Sequence, residues 1–122
     1  MSTVKLIPQS LLDEIERERH RQEEKFPGQV LPASPAQLWP HFDEYRTARH
    51  LEIPSEARAK FLCDEAHRRG QLTHGEVLSE EHSEAQAAAA RKDPVALRTE
   101  LIQVAASAIR FIGAIDRGEV GF

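Results

Sequence analysis

The sequence predicts an all-α fold, a helical bundle of four main helices with a proline-rich loop between the first and the second. Three observations carry this. Apolar residues recur at the three- and four-residue spacing of a helix face, and no strand-like alternation runs longer than a few residues. Ser, Thr and Asp stand where helices begin, and glycines stand where they end. The 122 residues suffice for one core and not comfortably for two, so residues 1–122 are expected as a single domain.

The first helix is expected to begin near Ser10, which has Asp13 at capping-box spacing. Leu11, Leu12 and Ile15 give it an apolar start, and its second half, from Glu16 to Lys25, is almost wholly charged. Between residues 26 and 54 lie Pro27, Pro32, Pro35, Pro40 and Pro54, five of the seven prolines, which exclude a long helix. A short helix from about Pro35 to Arg49, broken by Pro40, fits there. The second main helix runs from a Ser55 cap to Arg69 and ends at Gly70, with Arg68 and Arg69 suited to the negative end of the helix dipole. The third starts at Thr73, whose spacing to Glu76 is that of a capping box, and passes through Ala87 to Ala90 before stopping near Asp93. Asp93 caps the fourth, Pro94 sits in its first turn, and it continues to about Arg117, with Gly118 beyond.

Composition narrows the function classes. Hydrophobic residues make up 40% and charged residues 30%, a globular rather than a disordered balance. A formal net charge of −4 gives no broad basic surface for a nucleic acid polymer. Free nucleotides stay open, because a bound metal inverts the local charge of an acidic site. No apolar run is long enough to cross a bilayer, the stretch Met1 to Leu12 has no signal-peptide core, and Cys63 is the one cysteine, so a cytoplasmic protein is expected.

The third helix carries acids on its apolar side. Val77, Ala85 and Ala88 mark that side at the helical period, Glu81 and Glu84 fall within it, and Glu80 lies on its edge. On the fourth helix Leu97, Leu101, Val104, Ala105, Ala108, Phe111, Ile112 and Ile115 form a wide apolar stripe, with Glu100 on its border and Gln103 one step further out. A short connection at Asp93 favours antiparallel neighbours, and the acids would then converge. Carboxylates facing a bundle interior need cations, either Arg and Lys or a metal. Mg²⁺ suits such hard oxygen donors, with Mn²⁺ as a substitute. Against this stands the plain reading of a glutamate-rich helix with a solvated face.

The stretches Val77-Leu-Ser-Glu-Glu-His-Ser-Glu-Ala85 and Leu97-Arg-Thr-Glu-Leu-Ile-Gln-Val-Ala-Ala-Ser-Ala-Ile109 resemble the MazG-like branch of the all-α nucleotide pyrophosphohydrolases. That family carries E-x-x-E on one helix and E-x-x-D on the next. Glu81 and Glu84 match the first pair and Glu100 the third acid, whereas Gln103 stands where the family has Asp. Arg17 to Gln22, followed by Lys25 and Phe26, is similar to the opening of many short members. The resemblance covers the first helix and roughly residues 60–117, and leaves out the proline-rich loop.

The resemblance implies a metal-dependent nucleoside triphosphate pyrophosphohydrolase that cleaves between the α- and β-phosphates to give a nucleoside monophosphate and pyrophosphate. It implies Glu81, Glu84, Glu100 and Gln103 as metal ligands and Glu80 as a further ligand or a base for the attacking water. It also implies a homodimer or homotetramer with the site near a subunit interface. Arg17, Gln22, Lys25, Phe26 and Trp39 are the substrate-binding candidates. Each has a plain alternative: a solvated face for Arg17 and Lys25, a core anchor for Phe26, loop packing for Trp39. The histidines show no paired metal spacing, and Asp64-x-x-His67 occurs once where a di-iron bundle needs two such pairs. A neutral amide at Gln103 leaves a second function class open, a non-catalytic binding or assembly module on the same fold.

Overall fold

The computed structural model describes residues 4–121; Met1 to Thr3, at the start of the opening apolar stretch, and Phe122 lie outside them. The described residues form six helices and no strand: α1 (Gln9–Lys25), α2 (Pro35–Leu38), α3 (Glu44–His50), α4 (Glu56–Arg68), α5 (His74–Ala90) and α6 (Pro94–Asp116). The fold is all-α, as expected. The four main helices fall where they were placed, and the short helix expected from about Pro35 to Arg49, broken by Pro40, is present as α2 and α3 on either side of that break. The chain divides between Leu31 and Pro32 into two compact units.

The first unit holds α1. Pro8, not Ser10, is its N-cap residue, and no side chain caps it. Asp13 instead accepts from the Gln9 amide at 3.0 Å, so the Ser10–Asp13 box does not form. The charged half of α1 pairs with itself: Arg19 with Glu23 at 2.7 Å, Arg21 with Glu18 at 2.7 Å, His20 with Glu16 at 3.3 Å. Exposed pairs of this spacing each contribute a few tenths of a kcal/mol, about 0.3–0.5, so this is a solvated face.

The second unit is organised around α5, which packs against α2, α3, α4 and, most extensively, α6. Caps fix where each helix starts. Ser34 accepts from the Ala36 amide at 3.1 Å, Asp43 from Arg46 at 2.8 Å, Ser55 from Arg58 at 3.2 Å and Asp93 from Ala96 at 3.0 Å. Thr73 is the N-cap of α5, but its hydroxyl donates to the Glu76 carboxylate and leaves the backbone N–H groups uncapped.

Helices α3 to α6 all end alike. At α4, Gly70 donates to His67 and Gln71 to Ala66, the paired bonds of a Schellman motif, with Gly70 at φ +68°. The same pairs close α6 at Gly118, α3 at Glu52 (φ +57°) and α5 at Lys92 (φ +60°). Arg91, just past the end of α5, ties down the N-terminal turns of α3 and α4 through Glu44 at 2.7 Å and Glu56 at 3.1 Å.

The core of this unit is built from small residues. Ala36, Ala48, Ala59, Ala85, Ala87 to Ala90 and Ala114 are buried, and the Ser83 hydroxyl, also buried, donates to the Pro54 carbonyl at 2.9 Å. Small side chains let helices approach α5 closely, and they leave larger apolar groups outside. Leu101, Ile102, Ile112 and Ile115 of α6 are exposed, as are Phe61 and Leu62 of α4. Within this unit α6 packs on α5 alone, and it does so through the side bearing Glu100, Val104, Ser107, Phe111 and Ala114. The wide apolar stripe read from the sequence overlaps this side at Val104 and Phe111, while Leu101, Ala105, Ile112 and Ile115 lie outside it. The two centres differ by roughly a fifth of a turn around the helix.

Candidate metal centre

Glu81 and Glu84 stand one turn apart on α5, and Glu100 faces them from α6. One carboxylate oxygen of each lies within 4.8 Å of the others. The helices run antiparallel: Gln103 meets Glu81 midway along the pair, and the rings of His74 and Phe111 stack at the end away from the connection. A three-residue connection, Arg91 to Asp93, with Asp93 donating back to Ala88 and capping α6, enforces that arrangement.

All three acids are half-buried. Among the described residues none of them forms an ion pair with Lys, Arg or His. The electrostatic consequence is direct. Desolvation, and then the hydrogen bond and charge of Glu100, push the Glu84 carboxyl up to about 8. Desolvation, followed by the charges of Glu100 and Glu80, raises Glu81 as well. These groups ionise reluctantly because negative charges are held together away from water with no side-chain cation to offset them.

Gln103 closes the cluster. With its Nε2 turned inward the amide donates to Glu81 Oε2 at 2.8 Å and to Glu100 Oε2 at 2.9 Å. With Oε1 inward, an amide oxygen would stand beside two carboxylate oxygens, an arrangement that only a cation relieves. Oxygens on adjacent corners of a six-coordinate Mg²⁺ shell stand about 2.9 Å apart, so the inner amide atom sits at ligand-to-ligand spacing. Three carboxylates and an amide are hard oxygen donors, and the donor set fits Mg²⁺ or Mn²⁺.

Glu80 sits beside this group rather than in it. It is half-buried, hydrogen-bonded to Glu84, and in contact with Cys63 of α4. Burial, and then the Glu80 hydrogen bond and charge, push the Cys63 thiol up to about 11, so Cys63 is a packing residue rather than a thiolate.

The cluster is made of second-unit residues. Arg17, Gln22, Lys25 and Phe26 lie in the first unit. Gln22 accepts from Arg19 at 2.7 Å, and Lys25 sits 5.3 Å from the centre of the exposed Phe26 ring. Trp39, in the second unit, packs its ring against Phe42 at 5.3 Å and His50 at 5.1 Å, which is the loop-packing alternative. His82 points outward, hydrogen-bonded with Gln86. The sequence reading missed His74 and Arg110, which line a recess with Phe111 at the far end of the same helix pair. A contact between helices at a separation of 37 positions leaves no local pattern to read.

No protein-family model matches the chain, and neither a curated protein nor a solved structure shows significant similarity to it.

Proposed function

We propose that this chain is a divalent-metal-dependent nucleoside triphosphate pyrophosphohydrolase of the MazG-like type, releasing a nucleoside monophosphate and pyrophosphate. The observation that carries the reading is the meeting of Glu81, Glu84 and Glu100 with no side-chain cation among them. It is supported by the E-x-x-E spacing on α5 and the acid on α6 that led to the resemblance. Glu81, Glu84, Glu100 and the Gln103 oxygen would hold the ion, Mg²⁺ or Mn²⁺. When bound, such an ion supplies neutralisation of phosphate charge and activation of water.

The chain's own residues do the rest. The two-helix frame holds the three carboxylates at fixed spacing before any ligand arrives, so little ordering entropy opposes binding. Glu80, beside Glu84 and outside the trio, would take a proton from an attacking water. The substrate roles of Arg17, Gln22, Lys25 and Phe26 rest on the resemblance alone, and that of Trp39, outside the resemblance, on its place as an aromatic residue in the proline-rich segment.

A homodimer or homotetramer is part of the same reading. Leu101, Ile102 and Ile115 of α6 are 50%, 53% and 45% exposed, and a second copy of the chain would cover them.

One observation favours a second reading. The inward Gln103 amide holds Glu81 and Glu100 together without a metal, as a non-catalytic binding or assembly module would need. A single assay separates the two: pyrophosphate release from a panel of ribo-, deoxyribo- and modified triphosphates, with Mg²⁺ and then Mn²⁺. Glu84→Ala is expected to lower metal-dependent turnover by at least about a hundredfold, the scale of losing a metal-site residue. Turnover unchanged in that variant, or absent across the panel, sinks the enzyme reading.

A further inference from the structure

The α5–α6 pair carries a second feature beyond the acids. At the N-terminal end of α5 and the C-terminal end of α6 lies an open recess of about 460 Å³. It is lined by Leu72, His74, Val77, Arg110, Phe111 and Val120, among others. That volume falls in the range of small-molecule sites, roughly 300–1,000 Å³. His74 and Phe111 are stacked, their ring centroids 4.7 Å apart and their planes 19° from parallel. Arg110 is exposed and forms no ion pair among the described residues.

The recess and the acid cluster share one side of the helix pair. On α5, Val77 in the recess and Glu81 in the cluster are four residues apart, about 6 Å along the axis on the same face. On α6, Glu100, Gln103, Ser107 and Phe111 follow one another at three- and four-residue steps. A nucleotide with its phosphates at the acids would extend its base toward the stacked rings.

We propose that this recess is a nucleobase subsite, read by Arg110 and favouring a base that presents carbonyl acceptors. The proposal rests on the pyrophosphohydrolase reading for the placement of the phosphates. An incoming base adds a third ring to the His74–Phe111 stack, a contact open to every base because each has a π-face. Arg110 supplies the discrimination. Its guanidinium donates only, and its fork matches adjacent acceptors such as O6 and N7 of a 6-oxopurine. Adenine puts an amino donor where that oxygen would be, and two donors then face each other.

The test uses the full chain in the presence of a chelator, so that the metal centre does not contribute. Inosine and adenosine are titrated while backbone amides are followed by NMR. The expected result is shifts concentrated at residues 72–77 and 110–121, with inosine binding about fivefold or more tightly than adenosine. In Arg110→Ala, a change at an exposed position that leaves the packing alone, both nucleosides should still bind and the preference should vanish. Four outcomes overturn the proposal: no response, shifts elsewhere, equal affinities, or a preference that survives Arg110→Ala. Recess amides that shift only with protein concentration point to a second copy as occupant and overturn it too. Turnover is scored separately. Nucleoside binding without metal-dependent turnover removes the enzyme reading and the phosphate placement that rests on it, and turnover without recess shifts removes the subsite.

Discussion

At the scale of single residues, the polar groups that have no partner tell the most. Thr47 is wholly buried on α3, and its hydroxyl has no hydrogen-bond partner among the described residues. A buried unsatisfied hydroxyl costs about 1–3 kcal/mol. Thr47→Val keeps the shape and removes that cost, so it should raise stability by about 1 kcal/mol in urea denaturation; a loss of stability would mean the hydroxyl has a role that the packing does not show. Glu84 presents the same problem with a charge. Its carboxyl ionises near 8 in the folded chain against an ordinary 4.5, so between those values the folded protein binds more protons than the unfolded one. Stability therefore falls as pH rises through that window. Melting in chelator should show this decline between about pH 5 and about pH 9, and Glu84→Gln should flatten it. A divalent ion binds the ionised acids, so the rise in melting temperature on adding Mg²⁺ should grow over the same interval. A metal response independent of pH would place the ion elsewhere.

At the scale of helices, ends were more legible than faces. Ser55 and Asp93 cap as read, because a side-chain oxygen next to a new helix satisfies donors wherever the helix goes. Gly70 and Gly118 adopt the left-handed conformation expected of a glycine after a helix. Lys92 and Glu52 adopt it as well, with no residue type to announce it. A non-glycine residue in that conformation costs about 1 kcal/mol. Lys92→Gly should therefore stabilise the α5–α6 connection by about 0.5–1 kcal/mol, after the greater flexibility of glycine in the unfolded chain is allowed for. No gain in a thermal melt would show that the Schellman bonds at Ala88 and Ala89 set the turn regardless of residue type. The hydrophobic pattern of α6 gave a stripe wider than one short bundle covers, and Leu101, Ile112 and Ile115 of that stripe are exposed. Periodicity locates an apolar face, but the partner selects the side that docks, and here the alanine-rich α5 takes the side bearing Glu100 and Ser107.

At the scale of the whole chain, the second unit leaves large apolar groups uncovered, because a core of alanines closes before Leu101, Ile102, Ile112 and Ile115 are enclosed. Each is already about half covered or more, so a partner surface would add about half of a full side-chain burial, roughly 1 kcal/mol. Light scattering at micromolar concentration should report at least twice the 13.8 kDa chain mass. Leu101→Glu with Ile112→Lys should return a monomer that keeps its helical circular dichroism signal. A wild-type monomer would contradict the assembly and leave α6 as an exposed face.

The sequence by itself determined the helices and the residues of the acid cluster. Capping chemistry acts over three or four positions, and acids within an apolar stripe stand out against their neighbours. Only the tertiary structure decided how those acids are held: Gln103 bridges Glu81 and Glu100, Glu80 is drawn toward Cys63, and no side-chain cation joins them. It also decided the recess of His74, Arg110 and Phe111, residues that became neighbours when α6 folded back along α5. The physical reason is range. Backbone hydrogen bonding and local charge are written in adjacent residues, whereas desolvation and inter-helix contact depend on which face of one helix meets which face of another.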